Sequence, residues 1–191
     1  MTSSDDTALR PGVIAEVAQS VGVSYEGEAR GPARVALVCA KFNGAITERL
    51  LDGALGGLKD HDVTLDTVHV AWVPGAVELP LAASRLLWTG DYDAVIALGA
   101  VIRGDTAHFD FVAGECAAGL QRVALDTGVP VIFGVLTTDT VAQAQERAGP
   151  GATNKGYEAA VTALEMVRLL ELLPTIPDDQ LPGDDQSTDG Y

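Results

Sequence analysis

Four short, almost uninterrupted apolar runs recur along the chain: RVALVCA (34–40), TLDTVHVAWV (64–73), DAVIALGA (93–100) and VPVIFGVLTT (129–138). Each is followed by a stretch with apolar residues at helical spacing. These are ITERLLDGALGGLKDH (46–61), VELPLAASRLLWTG (77–90) and HFDFVAGECAAGLQRVALDTG (108–128), then the pair DTVAQAQERAG (139–149) and NKGYEAAVTALEMVRLLELL (154–173). Runs too apolar to alternate predict strands buried on both faces, and strands alternating with helices predict right-handed βαβ crossovers. The expected architecture is α/β: a four-stranded parallel sheet between two helical layers. Residues 33–173 hold this pattern, residues 1–32 form an N-terminal extension expected to be partly disordered, and 174–191 an acidic, proline-rich tail expected to be disordered. Within the extension, VGVSYEGEA (21–29) alternates enough to add a strand to another surface, although its glycines oppose that reading.

In an open parallel sheet, ligands bind outside the carboxyl ends of the strands. Four loops therefore hold the candidate chemistry: KFNGAIT (41–47), VPGAVEL (73–79), VIRGDTAHF (101–109) and TTDT (137–140). Phe42 is either a lid on the core or a platform for a flat heterocycle, and Asn43 either caps the next helix or lines a pocket. Glu78 suits the positive end of a helix, or accepts from a sugar hydroxyl. Thr106 reads as an ordinary N-cap, compatible with an anion held by the amides of Asp105 and Thr106. His108 falls in the first turn of a helix, where the dipole favours a neutral ring able to accept a proton; lone histidines are more often structural. His61 and His69 receive that plainer reading, and Arg103 reads as an ion-pair residue. Arg147 suits a helix C-terminus, and Lys155 and Glu158 suit an i, i+3 pair.

Composition narrows the classes. Twelve basic residues face 27 acidic ones, a net charge of −15, which opposes nucleic acid or an anionic membrane as partner. The two cysteines are too few and scattered for a disulfide framework or a zinc site. No metal is expected. No signal peptide or membrane span is legible, and a cytoplasmic location is expected. The Walker A, GxGxxG, GxSxG, HExxH and CxxC motifs are absent.

Taken together, FNGAITERLLDGA, VPGAVELPLAA, YDAVIALGAVIRGDTAHFDFVA, GVPVIFGVLTTDT, QERAG and NKGYEAA resemble the lumazine synthase family across about residues 33–172. The resemblance implies a flavodoxin-like sheet in a three-layer αβα sandwich, with the N-terminal segment adding a strand to a neighbouring subunit. It also implies condensation of 5-amino-6-ribitylaminopyrimidinedione (a ribitylaminouracil) with 3,4-dihydroxy-2-butanone 4-phosphate, without cofactor, to a lumazine, phosphate and water in riboflavin biosynthesis. Phe42 would stack on the pyrimidine, Ala76, Val77 and Glu78 would hold the ribityl chain, and Ala100, Val101 and Ile102 would present backbone groups to the ring. Asp105 and Thr106 amides would bind phosphate with Arg147, and His108 would move protons. Phe133, Arg147, Lys155 and Glu158 would come from the neighbouring subunit.

The family builds pentamers, some joined into decamers or sixty-subunit shells, and riboflavin synthase is the implied functional partner. The compact turn AGPGATNKG (148–156) matches the length found in shell-forming members. Val77 departs from the aromatic residue frequent at its position, and both chain ends depart from the family pattern. Two other readings stand beside the enzyme: a carrier that holds a lumazine- or riboflavin-like ligand, and a shell protein without catalysis. A carrier needs no phosphate site, so His108, Arg147 and Lys155 together favour the enzyme.

Overall fold

The computed structural model describes residues 9–174; the acidic tail from 175 onward and residues 1–8 lie outside the described residues. The elements, in chain order, are α1 (Val13–Ser20), β1 (Val35–Ala40), α2 (Gly44–Asp60), β2 (His69–Val73), α3 (Leu79–Leu87), β3 (Ala94–Ile102), α4 (His108–Thr127), β4 (Val131–Thr138), α5 (Val141–Arg147) and α6 (Lys155–Leu172). All strand pairs are parallel, in the order β2-β1-β3-β4. That is the three-layer, flavodoxin-like sandwich expected from the sequence.

The period of two along the central strands sorts their side chains into two cores. Val35, Leu37 and Cys39 of β1 and Ala94, Ile96, Leu98 and Ala100 of β3 pack with Leu50 and Leu58 of α2 and Ala160 and Leu164 of α6. Their alternates, Ala36, Val38, Val95 and Ala97, pack with Leu79 and Ala83 of α3 and Cys116 and Leu120 of α4. Every residue of β1 is buried, which is why its sequence reads as a continuous apolar run. Fully burying a leucine such as Leu50 or Leu164 stabilises the fold by about 1.5–3 kcal/mol. Cys39 and Cys116 are free, buried, and on opposite faces of the sheet. Burial pushes their thiols up to about 12 and about 11, leaving both largely protonated near neutrality.

Three elements differ from the pattern reading. The expected strand at 64–73 begins only at His69, because Leu65–Thr67 form a 3₁₀ turn in which Thr67 Oγ1 donates to Thr64 O. An edge strand is held from one side only, so its first half has less to gain by extending. Residues 13–20 form α1, which buries none of its residues, so no core face marked it in the sequence. Residues 21–33 form no strand within the chain. They run over α6, where Arg168 Nε donates to Arg30 O at 3.2 Å and a second Arg168 nitrogen donates to Pro32 O. A Cβ at Gly27 would lie 2.0 Å from Glu165 O, so only glycine allows this approach to α6.

Candidate functional site

The first cleft forms where β1, β2 and β3 end. Beyond Ala40 the chain turns toward β2: the Lys41 N–H donates to Val73 O at 2.9 Å and the Phe42 N–H to Pro74 O at 3.1 Å. The turn leaves Phe42 72% exposed, too much for a lid on the core. After β2, Pro74 and Gly75 lead into a 3₁₀ turn over Ala76–Glu78, with Ala76 buried and Val77 and Glu78 exposed. Glu78 Oε2 folds back over Gly75, 3.3 Å from where a Cβ would stand. β3 runs to Ile102, two residues past the segment 93–100 read as strand from the sequence.

Phe42, Ala76, Val77, Glu78, Ala100, Val101, Ile102, Thr106 and His108 all line this cleft of about 590 Å³. Pro74, Gly75, Gly104, Phe109 and Val112 complete its wall. Pro74, Gly75, Gly104 and Phe109 lie in the loops the sequence singled out, although not as site residues; Val112 lies outside them and was missed, although it shares an α4 face with His108 at i, i+4.

The loop between β3 and α4 is pinned from behind. Arg103 Nε donates to Asp139 Oδ1 at 3.0 Å, and its NH2 group donates to Asp110 Oδ1 at 3.1 Å. Its guanidinium lies 4.1 Å from the centre of the Phe109 ring. Arg103 is therefore an ion-pair residue, with its guanidinium held above the usual arginine range by hydrogen bonds to Asp110 first and Asp139 second. The N-cap of α4 is Ala107, with no side-chain cap, so Thr106 does not cap this helix. The reason is one of phase: the helix starts at His108, one residue too late for Thr106. Among the described residues, the N–H groups of Asp105 and Thr106 donate to no protein acceptor. Asp105 lines neither this cleft nor the next.

The second cleft, of about 510 Å³, lies along β4 between α5 and α6. Phe133, Thr137, Arg147, Lys155, Glu158 and Thr162 are among its walls. A capping box starts α5, in which the Gln143 N–H donates to Thr140 Oγ1 and the Gln143 side chain accepts from the Thr140 N–H. Arg147 ends that helix, exposed, with NH1 donating to Gln143 O at 3.3 Å. Lys155 Nζ lies 2.6 Å from Glu158 Oε2, the i, i+3 pair the spacing suggested.

Between Arg147 and Lys155 the chain is tied down by Asn154, which is 3% exposed. Its Nδ2 donates to Arg49 O at 3.0 Å and Gly149 O at 2.8 Å, and its Oδ1 accepts from the Gly156 N–H at 2.7 Å. Three bonds from one buried amide fix the turn that sets Arg147 and Lys155 apart.

No residue lines both clefts. Within one chain, Phe133, Arg147, Lys155 and Glu158 share one opening, and Phe42, Glu78, Thr106 and His108 share another. His61 and His69 belong to neither: His61 Nδ1 lies 2.7 Å from Gly57 O, and His69 Nδ1 lies 2.6 Å from the Tyr92 hydroxyl. Among the described residues no cluster of three or more His, Cys, Asp or Glu could hold a metal ion, and no helix is long and apolar enough to cross a membrane.

Chemically, the first cleft offers an exposed aromatic face, strand-end backbone groups, a carboxylate, an imidazole and, near the N-terminus of α4, the Thr106 amide, which has no partner among the described residues. The second offers two cations beside an aromatic residue on an open sheet edge. Comparison with known families gives a match to 6,7-dimethyl-8-ribityllumazine synthase over residues 32–171. The match takes in every strand, helices α2 to α6 and both clefts, and the chain belongs to this family of transferases of riboflavin biosynthesis.

Proposed function

We propose that this chain condenses 5-amino-6-(D-ribitylamino)uracil with 3,4-dihydroxy-2-butanone 4-phosphate to give 6,7-dimethyl-8-ribityllumazine, phosphate and water, at a site shared between neighbouring subunits. The observation that carries the reading is the division of the candidate residues between two clefts on one chain. A cyclic homo-oligomer brings a different patch of one subunit against the next, so the second cleft of one chain can close the first cleft of its neighbour. The family's pentamer supplies that arrangement. The exposed Phe133 and the open edge of β4 are the surfaces it would cover.

In this reading the pyrimidine stacks on Phe42 and meets the backbone at Ala100, Val101 and Ile102, while Ala76, Val77 and Glu78 hold the ribityl chain. The free amides of Asp105 and Thr106 and the neighbour's Arg147 bind phosphate through charge-assisted hydrogen bonds. Forming a C=N bond from an amine and a ketone requires a proton to be taken from nitrogen and delivered to the departing hydroxyl. His108 is the cleft's imidazole and supplies that transfer. The neighbour's Phe133, Lys155 and Glu158 complete the wall.

Incubating the purified chain with both substrates and following product fluorescence tests the proposal. The expected result is steady lumazine formation with phosphate released in equal amount. Ligand binding without turnover would establish a carrier instead.

A further inference from the structure

We infer that Asn43 is a positioning residue: its side chain takes the place of a missing strand donor and holds the end of β3 against the Phe42 turn. The inference rests on the function proposed above for its kinetic consequence, but not for the contact itself.

The ladder shows where the donor is missing. β1 pairs with β3 in register as far as Cys39 and Leu98, whereas β3 continues to Ile102 along β4. The Val95 N–H donates to Pro130 O and the Arg103 N–H to Thr138 O, so odd-numbered residues of β3 face β4 and even-numbered ones face β1. In this parallel register the Ala100 carbonyl awaits the N–H of residue 42. That N–H has been diverted to Pro74 O, because the chain turns toward β2 at that point. Asn43 Nδ2 donates to Ala100 O instead, at 2.8 Å.

Backbone conformation makes the substitution possible. Asn43 has φ 57° and ψ 35°, left-handed, a region asparagine tolerates better than most residues. It occupies the N-cap of α2 without making a side-chain cap, so its amide is free for β3. Ala100 is 4% exposed, and without this donor its carbonyl would lose the partner that the ladder does not supply. One side chain thus links Phe42, its neighbour in sequence, to Ala100, and both line the first cleft.

Asn43→Gly tests this, since glycine adopts the left-handed backbone without strain and removes the amide donor. In Asn43→Gly, hydrogen exchange of the Val101 and Arg103 amides should speed up about tenfold, as expected for one lost hydrogen bond with a buried acceptor. The KM for the pyrimidine substrate should rise by about the same factor, with the KM for the butanone phosphate changed less than about twofold. Asn43→Asp, which presents an acceptor to the carbonyl, should show both effects at least as strongly.

Unchanged exchange in Asn43→Gly would overturn the clamp. Faster exchange with both KM values unchanged, or equal losses in both KM values and kcat together with a lowered Tm, would overturn its positioning role. Faster exchange in Asn43→Gly, with a wild type that forms no lumazine, would retain the clamp and remove the proposed reaction.

Discussion

Replacing His108 with alanine should slow lumazine formation by about two orders of magnitude or more, because a positioned proton-transfer group contributes about 10²–10⁴-fold. His108 is exposed at the first residue of α4 and lines the first cleft. His108 belongs to neither of the two buried cores, so the variant should fold and assemble as the wild type does. Single-turnover kinetics on the assembled variant make the check. Wild-type rates at every pH would remove His108 from the chemistry.

Arg147→Ala should raise the KM for the butanone phosphate by about 100-fold, the scale of losing a charge-assisted contact to phosphate. The KM for the pyrimidine should change much less, because in the proposed shared site Arg147 would bind the phosphate and not the pyrimidine. The side chain is exposed at the end of α5, and its one hydrogen bond among the described residues is to the carbonyl of Gln143 in its own helix. Removing it should therefore cost little stability. Steady-state kinetics with each substrate varied in turn would show the split, and equal losses for both would point to defective assembly.

What the sequence revealed depended on how fully each element is buried. β1 and β3 are enclosed on both faces and read as apolar runs; the edge strand β2 exposes three of its five residues, and residues 64–68 before it were misread as part of the strand. Cap positions were less legible than helices. Thr106 has a capping side chain but stands one residue too early, while Thr140 and Gln143 form a capping box. Asn43 and Asn154 both occupy N-cap positions, but only Asn154 caps with its side chain, and that side chain also reaches Arg49, 105 residues away in sequence. Such long-range partners leave no trace in local spacing. The loops bearing Phe42, Glu78 and His108 were legible because parallel strands gather their carboxyl ends at one edge of the sheet. That Arg147 and Lys155 open onto a different cleft from His108 is a property of the folded chain, and no spacing rule gives it.

The shared site is the central claim, and mixed oligomers test it most directly. His108→Ala damages only the first cleft and Arg147→Ala only the second. The two variants are unfolded together in equal amounts, reassembled, and assayed at a butanone phosphate concentration that leaves Arg147→Ala nearly inactive. If each site joins clefts from two subunits, random mixing pairs two intact clefts at about a quarter of the sites. Activity should then return to about a quarter of that of wild type treated identically. Activity no higher than the average of the two separate variants would place the whole site within one chain and contradict the account.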